Sequence, residues 1–223
     1  IADLSVTGLT SNPTIFENAI RGSTAYDDTI RAKLAQGRSA EELFFELAIE
    51  DLSRAAELFH SIFERTDGVD GWVSLEVSPV LAYDTTATIA AAKALHARAG
   101  RPNLLIKIPG TPEGLPAIEE AIFSGIPVNV TLLFSCEQYL AAADAFLRGI
   151  ERRIEAGLKP EVGSVAALFV SRWDAAGAPR VPDAPRHARG SVAADDRQRG
   201  NGEPAHDLQV HRPRRGRILP AHD

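Results

Sequence analysis

Lys107 sits inside an apolar run, with Leu104, Leu105 and Ile106 before it and Ile108 after it. Arg101-Pro102-Asn103 and Pro109-Gly110 bound the run, so it reads as a strand buried on both faces. Burying an unpaired ammonium is expensive, and a lysine so placed is usually paired, neutral or functional. An amine in an apolar cavity loses the hydration of its charged form. A useful fraction is then neutral, and neutral amine is what attacks a ketone to form a Schiff base. The iminium withdraws electrons and stabilises a carbanion at the adjacent carbon. Making or breaking a C–C bond in this way also needs a proton shuttle. Glu76, inside another apolar run, could serve with a bound water. The plainer alternatives are a core-edge lysine whose head snorkels to water and a carboxylate paired to a surface lysine.

Other polar residues recur at the C-terminal ends of strand-like runs. Thr10 and Asn12 follow the first run, Asn129 and Thr131 lie in the fourth, and Arg172 follows the fifth. Asn12, Asn129 and Thr131 are uncharged hydrogen-bonding groups suited to sugar hydroxyls. Asn12 could equally be only a helix cap, and Thr131 only a β-former. Arg172 suits a phosphate bidentately, although arginines are common at surfaces.

The runs that must position these residues are Ser5–Thr10, Trp72–Val77, Asn103–Pro109, Pro127–Phe134 and Ser164–Val170. Helical patterns alternate with them. Asn12-Pro13 opens one helix, Ser39 with Glu42 has capping-box spacing, Asp84–His96 is alanine-rich, Thr111-Pro112 opens another, and Ser135 with Gln138 caps the next. From Trp72 onward the strands recur at roughly 25–35 residues, as in (β/α) units. No G-x-G-x-x-G follows a strand and no Walker-type loop occurs, which argues against a dinucleotide or P-loop fold. Polar residues at the C-terminal ends of five successive strands fit a (β/α) barrel, whose active site lies there.

Composition limits the alternatives. The chain has 223 residues, 44% of them apolar, and a formal net charge of −6. That suffices for one sizeable domain and gives no electrostatic reason to expect nucleic acid or an anionic membrane as partner. Cys136 is the single cysteine, read as structural, so no internal disulfide is possible and a reducing compartment fits. Without an 18-residue apolar stretch or a signal-like start, a soluble cytoplasmic protein is expected. The sequence starts at Ile1 and holds no methionine, from which a fragment is expected. After Trp173 the apolar periodicity stops. Residues 174–223 are expected to form a disordered tail without a strand that completes a barrel, or to be a GC-rich gene read out of frame. The abruptness of the change favours the second. The expected organisation is therefore a partial barrel over residues 1–173 followed by that tail.

The segments GLTSNPTIFENAI, VSLEVSPVLAYDT, NLLIKIPGTPEGL, GIPVNVTLLFS and LFVSRWD resemble transaldolase, particularly its actinobacterial-looking branch. The resemblance implies a TIM-type (β/α)8 barrel, of which about strands two to six are present. It implies a class I aldolase-like mechanism with no metal or cofactor. A dihydroxyacetone unit would pass from a ketose phosphate to an aldose phosphate, as in the pentose phosphate pathway. Lys107 would form the Schiff base, Glu76 would position the catalytic water, and Thr131 would help orient it. Thr10, Asn12 and Asn129 would line the substrate site, and Arg172 would bind phosphate. Two features depart from the family. Its catalytic first-strand aspartate is not matched, since Asp3 falls in the wrong place. Ala167 stands where serine is usual. The rival readings are a related sugar-phosphate aldolase and a non-catalytic fragment.

Overall fold

The structure, a computed structural model, describes residues 5–175 and 208–210. Five parallel strands lie side by side in chain order: β1 (Leu9–Thr10), β2 (Val73–Glu76), β3 (Leu104–Pro109), β4 (Val128–Leu133) and β5 (Ser164–Leu168). Helices α1 (Pro13–Arg21), α2 (Asp27–Ala35) and α3 (Ala40–Arg65) join β1 to β2. Single helices α4 (Thr85–Ala99), α5 (Gly114–Phe123) and α6 (Cys136–Glu155) make the following crossovers. A strand order that never reverses, with crossovers of the one hand that parallel strands adopt, keeps the helices on one face of the sheet. This is the winding of a (β/α) barrel, and the architecture is a partial one, as expected from the sequence.

The elements form where the sequence caps them. The Asn12 side chain accepts the Ile15 N–H at 2.8 Å, with Pro13 at the first helical position of α1. Ser39 and Glu42 make a reciprocal capping box on α3. Leu43, Leu47, Leu52, Ala56 and Phe59 then bury one stripe of that helix. Asp84 caps α4, and Gly100 ends it in the left-handed conformation at φ +57°.

Alternation along the strands separates two environments. Val73, Leu75, Leu104, Ile106, Ile108, Val128 and Val130 are buried with Leu95, Ile118 and Ile122 in the core beneath the helices. Ser74, Glu76, Leu105, Lys107, Asn129 and Thr131 fall on the opposite face by the period of two. Leu105 is buried yet stands outside that core cluster, as this parity requires.

Three outer helices are tied by a charge network. Arg152 of α6 reaches Glu119 at 3.1 Å and Glu120 at 2.9 Å on α5, while Lys93 of α4 meets Glu120 at 2.9 Å. The Arg148 hydrogen bond, then Arg152, holds the Glu119 carboxyl below its ordinary value, and Lys93, then Arg152, does the same for Glu120, against the opposing effect of burial. Depressed carboxylates contribute stability above their unfolded value, about 4.3, and lose it as pH falls through the folded value. Because the network is partly exposed, Arg152→Ala should cost only about 1 kcal/mol at pH 7. Urea denaturation should show the difference vanishing under acid conditions that protonate both carboxyls. A deficit that is constant with pH would contradict a charge-network origin.

One sequence expectation changes. The first run, expected from Ser5, pairs only at Leu9–Thr10. Ahead of that pairing Gly71 N–H donates to Thr7 O at 2.7 Å, and within it Leu9 N–H donates to Trp72 O at 2.9 Å. The stretch 174–223 lies outside the described residues except for Asp174 and Ala175, which end α7 (Val170–Ala175), and β6 (Leu208–Val210). β6 runs antiparallel to β5, with Ala166 opposite Val210, and is not a further (β/α) strand. Pairing there satisfies backbone groups that β5 would otherwise present at its outer edge.

Candidate active site

Register brings the chemistry-bearing residues together. Glu76 lies directly opposite Lys107, Lys107 opposite Asn129, and Pro109 opposite Thr131. Since paired residues share a face, these four strand positions put Glu76, Lys107, Asn129 and Thr131 on the side away from the helices. Thr10 pairs with Ser74 and joins the same face, although it is exposed on the short β1.

Lys107 is 6% exposed, so its head does not snorkel to water. Its Nζ lies 3.2 Å from Glu76 Oε2 and donates to the Ser11 carbonyl at 3.2 Å. Glu76 is accordingly paired with a buried lysine rather than a surface one. The ion pair offsets the burial cost of both charges. It also places a carboxylate within proton-transfer distance of the amine. An amine must shed a proton before it can add to a carbonyl.

Hydroxyls and an amide continue outward from the pair. Ser11 Oγ donates to the Ser74 carbonyl at 2.8 Å, and Asn129 Nδ2 donates to Ser74 Oγ at 3.1 Å. Asn129 is 1% exposed and its Oδ1 meets no donor among the described residues, leaving a buried acceptor that a ligand hydroxyl would satisfy. Thr131 is likewise 1% exposed.

Asn12 and Arg172 lie outside this hydrogen-bonded group. The Asn12 amide oxygen is occupied as the cap of α1, so its plainer reading holds for that atom. Its neighbour Ser11 makes the lysine contact instead. Arg172 is exposed on α7, beyond β5. Ala167 is buried on β5, two residues after Val165, which pairs with Asn129, so no hydroxyl is supplied at that position. Ser11 and Ser74 were missed from sequence. Ser74 was findable, because it lies two residues before Glu76 in one strand and must share its face.

Among the described residues no group of three or more His, Cys, Asp or Glu is placed to hold a metal ion. No helix among them is long and apolar enough to cross a membrane.

Comparison with known proteins gives the family. A sequence model of the family described as Transaldolase/Fructose-6-phosphate aldolase matches residues 1–199. The chain is 50% identical over 175 residues to the transaldolase of Acidothermus cellulolyticus, covering 78% of this chain and 47% of that protein. It is 51% identical over 175 residues to the transaldolase of Thermobifida fusca, covering 78% and 48%. It is 45% identical to that of Frankia alni over 175 residues, covering 78% and 47%. The chain thus spans about half the length of these curated relatives. With the family match over most of its length and the buried lysine–glutamate pair on a sequentially wound sheet, the chain belongs to the transaldolase/fructose-6-phosphate aldolase family.

Proposed function

We propose that the chain is a transaldolase that moves a dihydroxyacetone unit between phosphorylated sugars through a Schiff base on Lys107. The observation that carries this reading is the Lys107 Nζ–Glu76 Oε2 contact of 3.2 Å, held by direct register between β2 and β3. In the first half-reaction the neutral amine adds to the ketose C2 carbonyl, and water leaves as the iminium forms. The C3–C4 bond then breaks, its electron pair flowing into the iminium while the C4 hydroxyl gives up its proton. The aldose departs, and the bound three-carbon enamine attacks the aldehyde of the acceptor to reverse the sequence. Glu76 holds the water that carries these protons, and Thr131 orients it. Asn129 accepts from a substrate hydroxyl through its unpartnered Oδ1, Thr10 and Asn12 line the approach, and Arg172 takes a substrate phosphate.

The substrates on this reading are fructose 6-phosphate or sedoheptulose 7-phosphate as donor and erythrose 4-phosphate or glyceraldehyde 3-phosphate as acceptor. The reaction would run in the cytoplasm, with residues 1–173 as the working unit. The test supplies fructose 6-phosphate with and without erythrose 4-phosphate. Sedoheptulose 7-phosphate should form only with the acceptor. Free dihydroxyacetone in comparable amounts would mark a simple aldolase instead. Absence of both products would overturn the reading.

A further inference from the structure

Two successive leucines at the end of β4 lie in different surroundings. Leu133 is fully buried in the core, whereas Leu132 is 36% exposed with φ at +59°. That backbone conformation is unfavourable for a residue bearing a Cβ, and it persists only where surrounding structure imposes it. A second observation coincides with it. Between the pairs Val130–Ala166 and Leu133–Leu168, β4 advances by three residues while β5 advances by two. One extra residue is therefore accommodated in β4, a β-bulge of a kind that is rare between parallel strands.

The bulge changes side-chain parity. Strict alternation after Val130 would turn Leu132 into the helix layer and Leu133 toward Lys107. Instead Leu133 and Val130 both approach Gly110, where an added Cβ would meet each of them. Thr131, the residue just before the break, keeps regular pairing with β3, and its carbonyl accepts from Gly110 N–H at 2.8 Å. Past the break, the Leu133 carbonyl accepts from Phe169 N–H at 2.8 Å. The strand thus keeps Thr131 on the lysine face and withdraws Leu133 from it.

We infer that Leu132 is a positioning residue whose left-handed backbone turns Leu133 into the core and so keeps the Lys107 site beside Thr131 clear of that side chain. This rests on the reading of that site given above. The role belongs to the backbone, so substitutions should rank by tolerance of positive φ and not by side-chain size. Glycine and asparagine accept that conformation readily, whereas β-branched valine resists it.

The experiment measures borohydride trapping of fructose 6-phosphate by the full chain carrying Leu132→Gly, Leu132→Asn, Leu132→Ala or Leu132→Val. Trapping rate is followed across sugar concentration. Gly and Asn variants should keep the maximal rate within about threefold. The Val variant should lose about tenfold to 10²-fold in maximal rate, with little change in the half-saturating concentration. Should the Val variant fail to fold, the comparison of Gly and Ala with the parent still decides, because glycine should perform at least as well as alanine. Rates falling in the order Leu, Val, Ala, Gly would show that the side chain acts directly, and would overturn the inference. If the parent chain traps no sugar on Lys107, the proposed function fails first and this inference falls with it.

Discussion

Lys107→Met should abolish the borohydride-trapped adduct and also weaken the fold. Among the described residues of these strands no other lysine lies on the lysine face, so no substitute nucleophile is in place there. The stability effect follows from burial. The side chains of Lys107 and Glu76 are only 8% and 12% exposed, so removing the ammonium leaves a buried carboxylate without its counter-charge. Breaking one side of such a pair costs about 3–5 kcal/mol, whereas replacing both partners by apolar groups is often neutral. Lys107→Met combined with Glu76→Leu should therefore recover most of the loss without recovering the adduct. Urea denaturation of the parent, both single variants and the double variant gives the coupling directly. A Lys107→Met protein as stable as its parent would mean that the pair does not carry the electrostatic role assigned to it.

Glu76→Gln should separate covalent capture from turnover. Glutamine keeps the shape and an oxygen acceptor beside Lys107, but it cannot take up a proton at neutral pH. The adduct should still form on Lys107, while transfer of the three-carbon unit should fall by about 10²–10⁴-fold. The ammonium keeps its hydrogen bond to the Ser11 carbonyl, so the variant should remain folded although less stable than the parent. Single-turnover trapping compared with steady-state transfer distinguishes the two steps. Transfer within about threefold of the parent would remove Glu76 from the proton path.

Much of this site was legible because strands impose a period of two. Lys107 among leucines and isoleucines announced a buried strand, and the same parity puts Asn129 and Thr131 on one face of β4. The pairing of Lys107 with Glu76 was less accessible. Register between β2 and β3 depends on how the helix layer packs, and a one-residue slip would have turned Glu76 into the core. Sequence left open whether the lysine was paired or snorkelling, and its 6% exposure beside Glu76 decides that. The Ser11 contact is made by a backbone carbonyl, which leaves no trace in residue type. The bulge at Leu132 was hidden for a different reason. In PVNVTLLF either leucine can serve as the buried one, so apolar patterning alone does not locate the extra residue. Asn12 was legible as a cap from the following proline, and that is the role its amide oxygen takes.

The most direct test of the account is the location of the covalent bond. The full chain is incubated with fructose 6-phosphate, reduced with borohydride, digested and mapped by mass spectrometry. A reduced three-carbon adduct is expected on Lys107, with Lys33, Lys93 and Lys159 unmodified. Modification of those lysines with Lys107 untouched in a folded sample, or no adduct on any lysine, would contradict it.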